Sequence, residues 1–242
     1  MTDFSETKQY LQDIAKVIGK FQQAFLVPDK NYWHVGLEVR HNGFQTQEFT
    51  IDGKPCRVYV DLKNGIICSS IESWSMGWVS PVQLQNDLEY WLRELDSANN
   101  IEHVEGLHKT PSINQESALE ILNLLSKSQK VLGSLKLRLP TGRSSPLLLY
   151  PHHFDLAYTW YPHEGQQYTV GMSLGDEHIR QPYFYITAFP ETMEFASRAP
   201  QLPAVWHKQG FTGVVIRVAD IDERRFSAQL KKHISAALGI EI

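Results

Sequence analysis

Residues 33–71 have the sequence WHVGLEVRHNGFQTQEFTIDGKPCRVYVDLKNGIICSSI. Within this stretch, runs rich in β-branched and aromatic residues are separated by three dipeptides: Asn42-Gly43, Asp52-Gly53 and Asn64-Gly65. Asparagine or aspartate followed by glycine favours the positive φ angles of tight hairpin turns. Three such turns in succession predict a meander of four antiparallel strands, from about residue 33 to about residue 71.

The first turn sets the expected register of the meander. A two-residue loop at Asn42-Gly43 would place Leu37 opposite Glu48 and mix the two faces of the sheet. A three-residue loop with a bulge places Leu37 opposite Phe49, so this register is expected. The predicted core face then contains Val35, Leu37, Val39, Phe49, Ile51, Cys56, Val58, Val60, Leu62, Ile67 and Ile71.

The rest of the chain alternates between helical and extended patterns. Apolar residues at helical spacing predict four helices, at about residues 3–27, 80–95, 114–132 and 220–238. Five strand-like runs are expected in the second half, at about residues 146–150, 154–161, 168–174, 183–189 and 211–218.

The order helix, antiparallel strands, helix thus occurs twice. The sequence predicts an α+β fold of antiparallel β-meander sheets, each with helices packed on its apolar face. The expected halves are residues 1–110 and 111–242, packed as one compact unit. Similar tetrapeptides at residues 16–19 and 130–133 leave an ancient duplication open as a hypothesis.

The composition excludes several classes of protein. Hydrophobic residues make up 42% and charged residues 21% of the 242, which is ordinary for a globular chain. The formal net charge of −4 predicts no attraction to nucleic acids or to anionic lipids. No apolar run approaches the roughly 20 residues that a membrane span needs.

A cytoplasmic location is expected from two features. The N-terminus begins MTDFSE and lacks the basic start and apolar stretch of a signal peptide. Cys56 and Cys68 are the only cysteines, and the expected register sets Cys68 opposite Asp61, on the face away from Cys56. Since a disulfide between them is not expected, a reducing compartment fits the sequence.

The sequence identifies no cofactor. It has no phosphate-binding loop, no dinucleotide-binding glycine pattern and no His-Glu-x-x-His pattern. Residues 171–175, Gly-Met-Ser-Leu-Gly, match the pattern of a nucleophile elbow. An elbow must lead from a strand into a helix, whereas this segment is followed by another predicted strand, so a bend at a strand end is the favoured interpretation.

A cluster of polar residues around the second predicted strand of this half is the main candidate site. Alternation along the strand predicts an apolar face made of Phe154, Leu156, Tyr158 and Trp160. His153 and Asp155 then point to the other face. If the next strand pairs as a hairpin across residues 162–167, Asp155 lies near Ser173, with Asp176 just beyond.

These four residues allow two interpretations. His153, Asp155 and Asp176 are sufficient for acid–base chemistry or as candidate metal ligands, with Ser173 as a candidate nucleophile. The simpler interpretation, which is favoured, is that Asp155 and Asp176 make turn and strand-end hydrogen bonds and that His153 is solvated.

Aromatic residues provide a second set of candidates. In the first half, the face opposite the predicted core contains His34, Glu38, Arg40, Arg57, Tyr59 and Asp61. A solvated sheet face is the favoured interpretation, and the alternative is a polar ligand surface formed by Trp33, His34 and Tyr59. In the second half, Tyr183 and Tyr185 are expected to lie in the core or to line a cleft.

Several blocks resemble an uncharacterised bacterial family that is catalogued only as a domain of unknown function. The blocks are IGK at 18–20, WHV at 33–35, LYPHHFDLA at 149–157, GMSLGD at 171–176 and QPYFY at 181–185. The resemblance spans most of the chain. It implies a single fold family and a bacterial origin, and it implies no activity.

Three functions remain open from the sequence. The leading one is a small-ligand-binding or otherwise non-catalytic protein whose aromatic and polar cleft lies beside Asp155, Ser173 and Asp176. The second is a hydrolase or metal-dependent enzyme that uses His153, Asp155, Ser173 and Asp176. The third is a protein–protein interaction module. The oligomeric state is left open.

Overall fold

The computed structural model describes residues 2–70, 75–94, 101–140, 142–198 and 200–240. The chain forms two compact units. The first unit consists of Met1–Ser126 and Leu148–Phe154, and the second of Lys127–Leu147 and Asp155–Ile242.

The helices and strands follow one another in the order predicted for an α+β protein. The helices are α1 (Thr2–Gln23), α2 (Pro81–Glu94), α3 (Gln115–Lys136), α4 (Met193–Ser197) and α5 (Phe226–Leu238). The strands as far as Met76 are β1 (Glu38–Arg40), β2 (Gly43–Gln45), β3 (Phe49–Ile51), β4 (Lys54–Cys56), β5 (Val58–Asp61), β6 (Ile66–Ser69) and β7 (Ser75–Met76). The later strands are β8 (Arg143–Ser144), β9 (Leu148–Tyr150), β10 (Asp155–His163), β11 (Gln166–Ser173), β12 (Tyr183–Phe189), β13 (Val205–His207) and β14 (Gly213–Arg217).

Helix α1 carries the apolar stripe that its periodicity predicts. The side chains of Tyr10, Leu11, Ile14, Val17, Ile18 and Phe21 are all buried. Phe21 stacks on Trp91 of α2 with ring centroids 5.5 Å apart, and the Tyr10 hydroxyl donates a hydrogen bond to the Val79 carbonyl. Helix α2 begins at the predicted cap, where the Ser80 hydroxyl accepts a hydrogen bond from the Gln83 N–H.

The sheet of the first unit differs from the predicted four-stranded meander. Its strand order is β1-β2-β5-β6-β7, while β3 and β4 form a separate two-stranded hairpin. Strand β2 therefore pairs with β5 and not with the strand that follows it in sequence. The predicted single strand from residue 33 is also wrong at its start, because Trp33–Val35 is a 3-10 helix.

The register predicted for the first hairpin is wrong. Arg40 pairs with Gly43, so the turn lies at residues 41–42, and Leu37 bridges to Leu149 instead of Phe49. The cause is Gly43, which lies in β2 where a Cβ atom would clash with the Val60 carbonyl oxygen. This glycine permits the close approach of β5 and does not supply the positive φ angle of a turn.

The other two turns form where the sequence predicts them. Asp52 and Gly53 have φ angles of 50° and 74°, and they connect Ile51 to its partner Lys54 in the two-residue hairpin loop expected of Asp-Gly. Gly65 has a φ angle of 69° in the turn between β5 and β6. Because the register differs, Cys68 pairs with Tyr59 and not with Asp61. Both cysteines are free thiols.

The predicted core face of this half is largely confirmed despite the register error. Most of its members are buried: Leu37, Val39, Phe49, Ile51, Cys56, Val58, Val60, Leu62 and Ile67. Val35 is only half-buried, since it lies in the 3-10 helix, and Ile71 lies outside the described residues. Phe44 is buried and was not predicted.

The second unit contains an antiparallel sheet with the strand order β13-β14-β12-β11-β10-β8. One face is apolar and is covered by α5, whose Phe226 ring packs on Phe184 of β12 at 5.8 Å. Lys231 of α5 donates a hydrogen bond to the Ser134 hydroxyl in the last turns of α3. The structure thus confirms helices packed on one face of an antiparallel sheet.

Three details of this unit depart from the prediction. The last helix begins at Phe226 instead of Asp220, because two 3-10 turns, Val218–Asp220 and Glu223–Arg225, occupy the intervening residues. Helix α4 and strand β13 were not expected. The two units also differ in strand order. Among the described residues, every helix is too short or too polar to cross a membrane.

Candidate functional site

A row of four paired residues crosses the second-unit sheet at one end of its strands. Asp155 of β10 pairs with Ser173 of β11, Ser173 pairs with Tyr183 of β12, and Tyr183 pairs with Arg217 of β14. Directly paired residues point to the same face of a sheet. The face that carries this row, here called the site face, is opposite to the apolar face that α5 covers. The sequence predicts that Asp155 lies near Ser173, and in the structure the two residues pair directly.

Tyr185 connects β12 to β10 across the intervening strand. Its cross-strand neighbour on β11 is Gly171, where a Cβ atom would lie 2.5 Å from the Tyr185 ring and hydroxyl. The ring therefore lies over a position that has no side chain. From there the Tyr185 hydroxyl donates a hydrogen bond to the Asp155 carboxylate, which is 7% exposed. A buried carboxylate needs such donors, because burial removes its hydration.

Asp176 organises the segment that follows β11. Its Oδ1 atom accepts hydrogen bonds from the N–H groups of His178 (2.8 Å) and Ile179 (2.7 Å), and its other oxygen accepts one from the Tyr183 hydroxyl. Burial alone would raise the pKa of Asp176, but these three donors outweigh it and lower the pKa below the ordinary value. Burial, and then the Asp176 carboxylate, raise the pKa of Tyr183. Asp176 is thus held as an anion that fixes the loop.

The Gly-x-Ser-x-Gly pattern has a structural cause. Gly171 makes room for the Tyr185 ring, and Gly175 adopts a φ angle of 103°, which favours glycine. Ser173, 5% exposed, accepts a hydrogen bond from the Gly175 N–H at 3.1 Å. Residues 174–182 are all described and none is helical, so the strand–helix turn of a nucleophile elbow is not formed.

A cleft of about 490 Å³ lies at the edge of the site face. It is lined by His178, Ile179, Arg180, Gln181, Val205, His207, Gln209, Val215 and Arg217. Its floor comes from β13 and β14, where Val205 pairs with Val215. Val215 in turn pairs with Tyr185, so the floor of the cleft is continuous with the row beside Asp155.

Aromatic contacts link the cleft to the two tyrosines. The Phe211 ring stacks on Tyr183 at 6.3 Å, packs edge-on against Tyr185 at 6.1 Å and lies 4.7 Å from the His207 ring. Across the cleft, the rings of His178 and His207 are 6.5 Å apart. The segment after Asp176 and the segment around Phe211 are therefore both packed onto the same group of rings.

Basic side chains dominate the electrostatics of the cleft. Its lining contains two guanidinium groups and two imidazoles, and it contains no Asp or Glu. The Arg217 Nε atom lies 3.5 Å from Asp220, and the His178 ring lies 3.4 Å from Glu177. In the described part of the chain, no carboxylate lies within 4.0 Å of the Arg180 guanidinium. The arrangement favours a ligand with negative charge.

The remaining sequence-predicted residues lie in the first unit. His153 is on an exposed turn, and its ring packs edge-on against His152 at 4.6 Å. His34 accepts a hydrogen bond from the Asp29 N–H at 2.9 Å, and its neighbour Trp33 accepts one at its carbonyl from Gln47. Both therefore belong to a 3-10 turn and not to the sheet face on which they were expected.

Tyr59 is half-buried on β5, between Gln45 and Cys68, on the face that also carries Arg57. Arg57 forms ion pairs with Glu38 at 2.9 Å and with Glu48 at 3.3 Å. Among the residues that the structure describes, no three His, Cys, Asp or Glu side chains are placed to share a metal ion.

Sequence reasoning missed most of the cleft lining. Arg180 and His178 lie in a segment with no regular pattern, and His207 lies on β13, which was not predicted. Arg217 alternates with Val215 along a predicted strand, and this alternation is a usable signal. This alternation identifies Arg217 as a residue of the site face only when the pairing of β14 with β12 is known.

Comparison with known families gives one match. The chain matches the model described as "Family of unknown function (DUF5996)" over residues 1–229. No curated protein and no solved structure matches. Because the matched region contains both units up to the first turn of α5, this chain belongs to the DUF5996 family, whose function is unknown.

Proposed function

We propose that the protein is a non-catalytic, small-molecule-binding protein of the bacterial cytoplasm, and that the ligand occupies the cleft of the second unit. The observation that carries the proposal is the cleft itself. Its volume of about 490 Å³ falls within the roughly 300–1,000 Å³ typical of small-molecule sites. Apolar side chains on the floor and a few converging polar groups are also typical of such sites.

The segments that form the cleft are held in place by strand pairing and by hydrogen bonds. Its floor consists of paired strands, and its wall at residues 178–181 is anchored by Asp176. A Cβ atom at Gly210 would lie 2.5 Å from the His178 ring, so the segment after β13 packs closely against that wall. A site held in this way loses little conformational entropy when a ligand binds.

Three further observations support the non-catalytic, cytoplasmic and bacterial parts of the proposal. The Ser173 hydroxyl accepts a hydrogen bond from the Gly175 N–H, a group that cannot act as the general base that a serine nucleophile requires. Cys56 and Cys68 are free thiols, as is usual in a reducing compartment. The blocks that resemble a bacterial family support a bacterial origin.

The test combines native mass spectrometry of the purified protein with ligand-observed NMR against a library of small molecules. We expect a bound or newly identified ligand that is lost in Val205→Trp, because Val205 lies on the floor and is 37% exposed. The matched control is Met193→Trp, a residue that is 91% exposed and does not line the cleft.

Retention of binding in Met193→Trp and its loss in Val205→Trp would support the proposal. Binding that is equal in wild type and Val205→Trp would place the ligand elsewhere and overturn it. The absence of any co-purified molecule, together with no binder from the library, would also contradict it.

A further inference from the structure

We infer that the ligand of the cleft is a small organic anion, whose carboxylate or phosphate group is bound by Arg180 and Arg217. This inference rests on the proposed function, because it names the class of molecule that the same cleft accepts.

Arg180 is the first reason for this inference. Arg180 lines the cleft, and within the described residues no carboxylate lies within ion-pair distance of its guanidinium group. A guanidinium group remains charged at any pH that the folded protein tolerates, and its fork of donors matches two oxygens of a carboxylate or phosphate. An anion in the cleft would therefore gain charge-assisted hydrogen bonds without first breaking an ion pair of Arg180.

The charge of the other residues that line the cleft is the second reason for this inference. Arg217, His178 and His207 are the other basic residues of the lining, with the His207 Nε2 atom hydrogen-bonded to the Gln209 carbonyl, and no acidic residue lines the cleft. Arg217 is 3.5 Å from Asp220, but this contact uses its Nε atom. A cationic ligand would find no counter-charge in the lining.

The order of residues along β14 indicates which shape of ligand the cleft accepts. Arg217 lies at one end of the strand, Val215 lies two residues inward, and Gly213, which pairs with His207, lies at the other end. Four residues of extended strand span about 13 Å. The paired valines Val205 and Val215 thus form an apolar floor between a guanidinium end and an imidazole end.

A ligand that fits this floor has an anionic group at one end and a hydrocarbon or aromatic body that fits within the span of about 13 Å between the two ends of β14. The paired valines favour such a body, because they offer it no hydrogen bonds. A polyanion such as RNA is disfavoured, since the formal net charge of the chain is −4 and the cleft is small.

Isothermal titration calorimetry on the full chain can test the inference with a matched series of probes. The series consists of 3-phenylpropionate as the anion, 3-phenylpropan-1-ol as its neutral analogue and 3-phenylpropylamine as its cationic analogue, with inorganic phosphate as a compact anion. We expect the propionate to bind at least about tenfold more tightly than the alcohol, as one charge-assisted hydrogen bond provides. The amine is expected not to bind.

Substitutions of Arg180 and Arg217 then test whether these two residues bind the anionic group. Arg180→Gln and Arg217→Gln are each expected to weaken binding of the propionate by about 10-fold to 100-fold, the range for a lost charge-assisted hydrogen bond. Arg180→Lys should recover part of the loss, because it restores the charge but not the fork. The control is Arg143→Gln, since Arg143 packs over the Tyr161 ring at 5.2 Å and does not line the cleft.

The possible results distinguish a failure of the anion inference from a failure of the proposed binding function on which it rests. If the alcohol or the amine binds as tightly as the propionate, and Val205→Trp abolishes that binding, the cleft is a binding site but its ligand is not an anion. If the propionate binds equally to wild type and to both arginine variants, the inference is also overturned. If none of the four probes binds, the inference fails, and the mass spectrometry and NMR test decides the proposed function independently.

Discussion

The Tyr185 hydroxyl donates a hydrogen bond to the Asp155 carboxylate across the full width of strand β11. The connection depends on Gly171, which lies between them and leaves space for the tyrosine ring. Three residues that are 14 or more positions apart in sequence therefore act as one structural unit. This unit joins β10, β11 and β12 on the face that leads to the cleft.

Removal of the Tyr185 hydroxyl should destabilise the protein while leaving its packing intact. In Tyr185→Phe the buried Asp155 carboxylate loses one hydrogen-bond donor, and we expect the free energy of unfolding to fall by about 1–3 kcal/mol. The measurement is urea denaturation followed by tryptophan fluorescence. Tyr161→Phe on β10 is the control, because no hydrogen bond of the Tyr161 hydroxyl occurs among the described residues. Equal stability of the two variants would contradict the role of the Tyr185–Asp155 bond.

A methyl group at position 171 should displace the Tyr185 ring. In Gly171→Ala the new Cβ atom would lie 2.5 Å from that ring, so we expect a loss of about 1–3 kcal/mol from overpacking. Gly77→Ala is the control, because no atom lies within 4 Å of a Cβ built there.

The double variant Gly171→Ala/Tyr185→Leu tests the cause of that loss. If the clash with the ring is responsible, adding Gly171→Ala to Tyr185→Leu should cost much less than adding it to the wild type. Additive effects of the two substitutions, measured by the same denaturation experiment, would show that the ring is not what the methyl group meets.

The lowered pKa of Asp176 should make the free energy of unfolding depend on pH in a specific way. Its pKa is lower in the folded state than in the unfolded state, so the stability that it contributes is present above its unfolded pKa of about 4. This contribution is lost as the pH falls below about 4 and through the folded pKa. We expect the difference in unfolding free energy between wild type and Asp176→Asn to be constant from about pH 5 to 7 and to shrink at lower pH. A difference that grows on acidification would contradict the lowered pKa.

Substitution of Gln22, a polar residue of the first unit, should cause a large loss of stability. Its fully buried side chain donates hydrogen bonds to the carbonyl groups of His34 and Gly36, both at 2.9 Å, and accepts one from the Gln47 N–H at 2.8 Å. Gln22→Ala should lower the free energy of unfolding by at least about 2 kcal/mol, because buried backbone groups lose their partner.

The neighbouring residue gives a matched control. Gln23 is half-buried and, among the described residues, its side chain bonds only to the Gly19 carbonyl of its own helix, so Gln23→Ala should change stability by less than about 0.5 kcal/mol. Chemical denaturation of the two variants in parallel measures the difference. Similar losses at positions 22 and 23 would show that Gln22 does not hold the Trp33–Val35 turn in place.

Much of the second unit could be predicted from the sequence. Alternation from Leu156 to Trp160 defines which face of β10 is apolar, and the short connection expected at residues 162–167 allows β10 and β11 to pair as a hairpin. These two facts place Asp155 near Ser173, and a register shift between Trp160 and His163 sets their direct pairing. The nearness of the two residues could be predicted because they lie on neighbouring strands of one hairpin, whereas the register shift was not predicted.

The first unit shows where the same reasoning fails. Asp52-Gly53 forms the predicted turn, whereas at Asn42-Gly43 the glycine lies in a strand beneath the Val60 carbonyl. The dipeptide alone does not distinguish the two cases. The deciding contact comes from β5, which is distant in sequence.

The sequence by itself determined the α+β class, the second-unit hairpin and most of the buried residues, because periodicity and turn chemistry act over a few neighbouring positions. Only the tertiary structure decided the order of the strands, the path of Tyr185 over Gly171 and the cleft between β13, β14 and residues 178–181. Those features depend on contacts between segments far apart in the chain, and a local pattern does not encode which distant segment will be the partner.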